Sequence, residues 1–455
     1  MAGADQVFKL AQEEDYFGAA KAVNDGLNKD PNNMALLMTY AYVMMRLENW
    51  GMAYNILLHV KAHSPQYPEI YNNLGMALAS LASSTGKDKY LDEAESMLLK
   101  AASKKPGCEI YNNLALVAVH KCDAERAEKF CREALKYNDD HKESRESLGY
   151  ALLMQGKWEE GFYNFDFALG GTHRKITYGG NAPYYMHHKG VKLYVRGEQG
   201  IGDEITYASV LPDVMADNEV TYECDPRLYG LFKRSFPALE IIPTRFDKKA
   251  DWMHSREFGA YCLSGSLCRE YRKKDEDFPR TPFLTADPER RLQWRTLLDT
   301  LPGKKVGIAW TGGLPNTFQS RRSFNLEGLL PILKTPGVTW VSLQYKDPSK
   351  EIAALKEKHG IEVKHWARAT EAQDYDETAA LVAELDCVVS VTTAVVHLCG
   401  ALGKKAYVLV PKKARWFYHS DSPKHRWYDS LELFRQQDKW PIERLADKLK
   451  ADLWA

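Results

Sequence analysis

The stretch YNNLG at Tyr71–Gly75, repeated as YNNLA at Tyr111–Ala115, decides the fold of the first part of this 455-residue chain. Units that recur along a chain predict a stack, because each unit is too short to bury its own apolar face and must pack against its neighbours. Aromatic residues open the second predicted helix of a unit at positions 16, 50, 90 and 158. We therefore expect helical hairpins that stack into a superhelix with a concave inner wall.

The spacing of the repeat is 34 residues. Pro31 and Pro65 lie 34 positions apart, as do Pro106 and Asp140, whereas Pro65 and Pro106 are separated by 41. The polar run Ser83–Asp88 falls in that longer interval, and we expect it to lengthen a loop between two helices. A helical hairpin of this length resembles the tetratricopeptide repeat, with about four units between residues 5 and 170.

Extended concave walls of this kind usually bind a peptide or another protein, although the helices could also serve only to pack on the next domain. The paired asparagines Asn72–Asn73 and Asn112–Asn113 leave a similar choice. Their amides could hold a peptide backbone, because an amide both donates and accepts hydrogen bonds, or they could cap and space helices. The sequence leaves both alternatives open.

The composition restricts the class of partner. With 61 basic and 61 acidic residues the chain has no net charge that would attract nucleic acid or an anionic membrane, so an anion can be bound only at a local site. The eight cysteines are scattered singly, without zinc-type spacing. No apolar stretch reaches the roughly 18 residues that a membrane span requires. We expect a cytoplasmic protein without a membrane span that does not bind nucleic acid.

After Gly170–Gly171 the repeat ends, and strands begin to alternate with helices. Val191–Arg196 is typical of a strand, and a second series of strands and helices opens at Lys305–Trp310. This alternation predicts parallel sheets covered on both faces, and two series predict two Rossmann-like halves with a ligand cleft at the carboxyl ends of their strands. The predicted domains are the repeat array at 1–172, an N-terminal Rossmann-like half at 173–302 and a C-terminal half at 303–455.

The first strand of this second part runs into a glycine loop, Gly197–Glu204 (GEQGIGDE). Gly200 and Gly202 let the backbone approach a ligand closely, and the free N–H groups of the following helix point to the same place. The loop does not match the dinucleotide fingerprint G-x-G-x-x-G, which disfavours a nicotinamide enzyme. Asp203 is either a general base or the cap of the helix.

Later strand ends offer further groups for an anion. Arg321–Arg322 follow the strand at Lys305–Trp310, and Lys346 follows the next strand. Their cationic groups suit phosphate oxygens, although such residues are also common on solvated loops. Thr392–Thr393 open an apolar helix after a buried strand, where hydroxyl and N–H groups can hold a diphosphate. His397, one helical turn further, fits a packed or supporting position better than a ligand contact.

Two D-x-D sequences, at Asp374–Asp376 and Asp275–Asp277, raise the question of a metal, because many sugar transferases hold a nucleotide through such a motif and a divalent ion. Asp376 precedes the helix predicted at Glu377–Glu384 and is better explained as its cap. The second motif lies in a charged run, Arg272–Asp277. We therefore predict no metal and no other cofactor.

Several motifs, taken together and in this order, resemble one known family. They are GEQGIGDE at 197–204, RRS at 321–323, SLQ at 342–344, SVTTAVVHLCGALG at 390–403 and WYDSLELFRQ at 427–436. The chain resembles, over essentially its whole length, bacterial tetratricopeptide-repeat glycosyltransferases of GT-B fold, related to O-GlcNAc transferases and ADP-heptose heptosyltransferases. The resemblance implies a UDP-, GDP- or ADP-linked sugar donor in the C-terminal half, an acceptor facing the N-terminal half, inversion at the anomeric carbon and no metal.

The resemblance also implies roles for single residues. Asp203 corresponds to the proposed base of the heptosyltransferases, and Arg322 to the residue that binds the donor phosphates. The Q-Y-K stretch is similar to a phosphate-contacting stretch of O-GlcNAc transferases and implies donor contacts for Gln344 and Lys346. Thr392 stands where relatives commonly have aspartate, but O-GlcNAc transferases carry two threonines at this helix start, which implies phosphate contacts here too.

The sequence therefore predicts a metal-independent inverting glycosyltransferase. It would move a sugar from a nucleotide-sugar donor to a protein, peptide or glycan acceptor, and the repeat array would help to bind the acceptor or a partner. Two alternatives stay open. One is a non-catalytic scaffold with a degenerate glycosyltransferase domain, which the threonine at 392 favours. The other is a nucleotide-sugar epimerase on the same fold, which would turn over its substrate without an acceptor.

Overall fold

A computed structural model of the chain describes residues 7, 9–10, 13–170, 174, 180–245, 256–313, 318–370, 374–418 and 422–454. The chain divides into two compact units. The first comprises Met1–Ala151 with Leu314–Phe318, and the second comprises Leu152–Gly313 with Gln319–Ala455. The two units differ in architecture and are described in turn.

The first unit is a succession of helices, each packed against the next. Asp15, Asn33, Asn49 and Asp123 cap four of them, because each side chain accepts a hydrogen bond from the backbone N–H three residues further on, at 2.9 to 3.2 Å. The predicted helical repeat is therefore confirmed as a helical stack. The helices are α1 Tyr16–Leu27, α2 Met34–Arg46, α3 Trp50–His63, α4 Pro68–Thr85, α5 Lys89–Lys104, α6 Cys108–His120, α7 Ala124–Tyr137 and α8 Lys142–Met154.

The polar run Ser83–Asp88 does not form the predicted long loop. Helix α4 continues through Thr85, whose hydroxyl donates to the carbonyl of Leu81 at 2.5 Å, and it ends at Gly86, where φ is 67°. Glycine favours this left-handed conformation and so ends the helix. The extra residues of the 41-residue interval therefore lengthen α4 to 18 residues, against 13 in α2 and α6.

The paired asparagines link successive repeats of the first unit. The side-chain amide of Asn113 donates to Oδ1 of Asn72 at 2.9 Å, and the hydroxyl of Ser144 donates to Oδ1 of Asn112 at 3.2 Å. Asn112 and Asn113 are buried. Because a buried amide needs partners, these bonds fix the spacing of α4, α6 and α8. Of the two interpretations left open by the sequence, the structure supports helix spacing for these residues.

The second unit begins with the end of α8 and helix α9, and continues into a parallel sheet that we call the N-terminal half. Its strands lie in the order β3-β2-β1-β4, and every neighbouring pair is parallel. The elements are α9 Trp158–Phe165, β1 Lys192–Arg196, α10 Ile201–Ala208, α11 Leu211–Asp217, β2 Glu219–Glu223, α12 Tyr229–Ser235, β3 Glu240–Ile242, β4 Ala260–Leu263, α13 Cys268–Tyr271 and α14 Pro288–Asp299.

A second parallel sheet forms the C-terminal half of this unit. Its six strands have the order β10-β9-β8-β5-β6-β7. In chain order this is the arrangement of a doubly wound α/β sheet, so the predicted parallel sheets are confirmed. The elements are β5 Lys304–Ala309, α15 Leu330–Leu333, β6 Val338–Ser342, α16 Ser349–His359, β7 Val363–Lys364, α17 Ala367–Thr370, α18 Tyr375–Glu384, β8 Cys387–Val391, α19 Ala394–Leu402, β9 Ala406–Val410, β10 Leu431–Arg435 and α20 Ile442–Leu453.

Helices cover both faces of this second sheet, so its central strands are buried along their whole length. Every residue of β8 and β9 is buried. On one face of the sheet, their side chains join a cluster with Trp310, Trp340 and Leu445 of α20; the members from β8 and β9 are Cys387, Val389, Val391, Tyr407 and Leu409. Among the described residues, no helix combines the length and the apolar character needed to cross a lipid bilayer.

Candidate active site

The candidate site lies where the strand order reverses, between β1 and β4 in one sheet and between β5 and β8 in the other. Ligands of doubly wound folds bind at such points, beyond the carboxyl ends of the strands. Two segments meet there in the C-terminal half. A Cβ added to Gly312, after β5, would lie 2.9 Å from Cβ of Thr393 and 3.0 Å from the carbonyl oxygen of Thr392. Any side chain at 312 would push these loops apart.

Asp203 sits in the first turn of α10 and is partly exposed. Its Oδ2 accepts a hydrogen bond from the backbone N–H of Gly200 at 3.0 Å, which closes the glycine loop onto the helix. Burial raises the pKa of the Asp203 carboxyl group, while the nearby charge of Arg415 acts in the opposite direction. The carboxylate therefore has both a capping contact and a cationic neighbour. A role as helix cap is thus compatible with a role as general base.

The other two acids of the glycine loop are buried beneath it. Glu198 accepts two hydrogen bonds of 2.8 Å from the guanidinium group of Arg174, which is fully buried. Glu204 pairs with Arg245. A Cβ added to Gly197 would lie 2.3 Å from Oε1 of Glu204, so the loop needs glycine to pass over this pair. These two ion pairs, Arg174 with Glu198 and Arg245 with Glu204, hold the loop in place.

Arg322 and Arg415 supply two positive charges near Asp203. Nε of Arg322 donates to the carbonyl of Gly312 at 3.0 Å. Burial and the like charge of Arg415 lower the pKa of Arg322 to about 10, whereas Asp203 and Tyr418 act to raise it. An anion can bind favourably next to two guanidinium groups that repel each other, because its negative charge would offset their repulsion. Sequence reasoning selected Arg322 but missed Arg415.

The two residues predicted from the Q-Y-K stretch occupy different environments. Gln344 is buried, and its Oε1 accepts from the backbone N–H of Thr311 at 3.2 Å, so its amide shapes the loop after β5. Lys346 is exposed, with Nζ 5.6 Å from the ring centroid of Tyr345. The hydroxyl of Tyr345 in turn donates to the carbonyl of Gly313 at 3.1 Å. Tyr345 thus contacts both Lys346 and the loop that follows β5.

The threonines and the histidine of the fourth strand end lie at the junction of the two halves. Thr392 is buried, and Thr393 is the N-terminal boundary residue of α19. Nδ1 of His397 lies 2.8 Å from the hydroxyl of Thr206 in α10. A Cβ added to Gly202 would lie 3.0 Å from Cδ2 of His397. The first turns of α10 and α19 therefore pack closely, with His397 buried between them.

This histidine makes the second unit sensitive to acid. Burial lowers the pKa of His397 to about 3, so the folded state keeps it neutral while the unfolded state takes up a proton below its ordinary pKa of about 6.5. The contribution of His397 to the free energy of unfolding is therefore fully present above this ordinary pKa and is lost as the pH falls below it. From pH 7 to pH 5 we expect a loss of about 2 kcal/mol from this group. In His397→Gln, denaturant unfolding at the two pH values should show a correspondingly smaller loss; an unchanged pH dependence would contradict the assignment.

The D-x-D aspartates serve structural roles, and one prediction about them was wrong. Asp374, not Asp376, caps α18, because its Oδ1 accepts from the backbone N–H of Asp376 at 3.1 Å. Asp376 is buried and bonds to Arg234 at 2.6 Å. Asp275 of the other motif accepts from the indole of Trp158 at 2.7 Å. In the part of the chain that the structure describes, no three His, Cys, Asp or Glu side chains are grouped so as to hold a metal ion.

Comparison with known proteins finds one relative over most of the chain. No protein-family model matches. The chain is 27% identical over 452 residues to Protein FlbA of Caulobacter vibrioides, covering 94% of this chain and 71% of that protein. It is similar to the solved structures of TTC0263, a TPR protein of Thermus thermophilus (22% identity, 36% of this chain, 87% of that chain, TM-score 0.33), and of MamA (21%, 35%, 90%, 0.30). None of these names describes a chemical reaction.

Proposed function

We propose that the second unit is a metal-independent inverting glycosyltransferase of GT-B fold that uses a nucleotide-sugar donor. The observation that carries the proposal is the grouping of Asp203 with Arg322 and Arg415 where the strand order reverses. A carboxylate beside two cations suits a reaction that takes a proton from a hydroxyl group and releases an anion. Two guanidinium groups can neutralise a diphosphate in place of a divalent cation.

Each of these groups has one role in the proposed reaction. The carboxylate of Asp203 takes the proton of the acceptor hydroxyl, whose oxygen forms a bond to the anomeric carbon as the bond to the nucleoside diphosphate breaks, with inversion. Arg322 and Arg415 stabilise the negative charge of the leaving group. The first turn of α19, which follows Thr393, contributes backbone N–H groups that favour an anion. Stabilisation of the leaving group is the larger expected effect, as is usual for preorganised charges.

A panel of UDP-, GDP- and ADP-sugars tests the proposal on the full chain. Release of a nucleoside diphosphate from one donor, together with a rise in melting temperature on binding that nucleotide, is the expected result. No release and no thermal shift with any donor would overturn it and favour a non-catalytic scaffold, the candidate to which the threonine at 392 points. Conversion of the donor to an epimer without an acceptor would instead identify an epimerase.

Lys346→Ala is expected to lower turnover by about tenfold. The fully buried donor of an oxyanion site would cost about 10²–10³-fold, but this ammonium group is exposed, and water and salt screen it. Steady-state kinetics with the donor found in the panel measure the effect, with Lys346→Arg as the control that keeps the charge. Turnover equal to that of the wild type in Lys346→Ala would remove Lys346 from the donor site.

The helical stack of the first unit is proposed to bind the acceptor or a partner protein. Helical repeats present extended surfaces to polypeptides, and a protein or peptide acceptor fits such a surface better than a free sugar does. The buried asparagine contacts that fix the spacing of α4, α6 and α8 favour a preformed surface over one that orders on binding. Sensitivity of acceptor modification, but not of donor hydrolysis, to substitutions on this unit would support the proposal.

A further inference from the structure

Helix α9, Trp158–Phe165, with the turn Asp166–Ala168 that follows it, is linked to both loops that carry the charged groups of the candidate site, to one through Arg174 and to the other through ring contacts. One loop is the glycine loop with Asp203. The other is the segment that carries Arg415 after β9. The two loops come from different halves of the second unit, and α9 belongs to neither sheet. An element that supports both loops can set the distance between their charges.

The contact with the glycine loop runs through a buried arginine. Arg174 donates to the backbone carbonyl of Phe165 at 3.1 Å and to the carboxylate of Asp166 at 3.0 Å. The same guanidinium group donates twice to Glu198, five residues before Asp203. A bidentate pair that is almost completely buried fixes both distance and angle. The end of α9 and the start of the glycine loop are therefore tied to one rigid group.

The contact with the second loop is aromatic. The ring centroids of Phe162 and Phe165 lie 5.9 and 6.3 Å from that of Trp416, the residue after Arg415. Trp416 stacks on Phe417 at 3.8 Å, and the Phe417 ring lies 5.5 Å from that of His397. These rings are buried, so the backbone that carries Arg415 rests on α9 on one side and on the junction of the two halves on the other.

We propose that α9 is a positioning element of the active site: through Arg174 and through Trp416 it holds Asp203 and Arg415 at a fixed separation. The inference rests on the proposed function. A base and a leaving-group cation have to be placed to within a fraction of an ångström. Asp203 lies where the glycine loop enters the first turn of α10, and Arg415 sits on a loop, and loops are less precise than strands or helices. Phe162 is then a positioning residue, since it touches neither of the reacting groups.

Phe162→Leu in the full chain tests the inference without knowledge of the donor. Hydrogen–deuterium exchange should become at least about tenfold faster at residues 197–208 and 411–418 together, because the shared support is loosened. The affinity for inorganic pyrophosphate, measured by calorimetry, should fall about tenfold, since the cations lose their fixed spacing. If this variant does not fold, Phe162→Met replaces it.

Trp294→Phe is the matched control. Trp294 is fully buried in the same unit and packs against Trp366, and this substitution removes the same number of heavy atoms as Phe162→Leu. Trp294→Phe should lower the melting temperature by about as much as Phe162→Leu does. It should leave hydrogen–deuterium exchange at residues 197–208 and 411–418, and the affinity for pyrophosphate, unchanged. Faster exchange confined to α9, or the same changes in the control, would overturn the positioning role. Absence of pyrophosphate binding in the wild type would count against the proposed function, while the exchange comparison would still decide the inference.

Discussion

Asp203→Asn is expected to lower turnover by about 10²–10⁴-fold, the range for loss of a general base. The amide cannot take up the acceptor proton, yet its oxygen can still accept the hydrogen bond from the N–H of Gly200, so the helix keeps its cap. Melting temperature and nucleoside diphosphate affinity should therefore stay near those of the wild type. Because burial raises the pKa of this carboxyl group, wild-type turnover should fall with decreasing pH through a value above the ordinary pKa of aspartate.

Asp203→Ala separates the two roles of this residue. It removes both the base and the cap, and loss of a cap costs about 1 kcal/mol. If Asp203 only caps α10, Asp203→Asn should turn over like the wild type while Asp203→Ala is less stable. That pattern would remove Asp203 from the reaction and would leave the proposed transferase without the base suggested by its sequence.

Arg322→Ala is expected to lower turnover by about 10²–10³-fold and to weaken nucleoside diphosphate binding, because one of two cations beside the leaving group is lost. Arg322→Lys should recover part of the loss, since the charge remains but the planar fork does not. Kinetics and calorimetry with the donor from the panel measure both effects. The lowered pKa of Arg322 also predicts that phosphate binding raises that pKa, because a bound anion opposes the charge of Arg415.

Lys358→Ala is a suitable control for the charge change. Lys358 lies on α16 in the same half, largely exposed and paired with Glu327 at 3.1 Å. Its loss removes one positive charge from the same half and should leave kinetics and affinity unchanged. An Arg322→Ala variant that behaves like Lys358→Ala would show that Arg322 serves the loop at Gly312 and not the donor.

Elements with a strong local pattern were predictable from the sequence. Cys387–Val391 is apolar except for Ser390 and is followed by threonines, and it forms β8 with all five residues buried. The strand predicted at Val191–Arg196 is β1, Lys192–Arg196. The error at Ser83–Asp88 shows the limit of local signals: serine and threonine favour turns, but here a hydroxyl satisfies a carbonyl of its own helix, and α4 continues.

The charged framework of the candidate site was only partly predictable, because it depends on contacts between distant segments. Arg415 stands beside Lys412 and Lys413 in a basic run, a pattern typical of a solvated loop, and the fold brings it to Asp203. Arg174 has no local pattern at all, although it pairs with Glu198. Gln344 was selected as a donor contact, and the sequence did not indicate that its amide oxygen accepts from the backbone N–H of Thr311 in a neighbouring loop. Sequence can select the residue types here, but not their partners.

The close packing of α10 on α19 also has a consequence for how the chain folds. Thr206 meets His397 across 191 residues of sequence and Tyr428 across 222. Contacts of such long range form late, since the chain must pay the entropy of closing the intervening loop before they contribute stability. Each sheet can form from contacts between residues that are closer in sequence. The junction that places Asp203 near Arg415 can form only after both sheets have formed. We therefore expect a refolding intermediate with native-like secondary structure that cannot yet bind pyrophosphate.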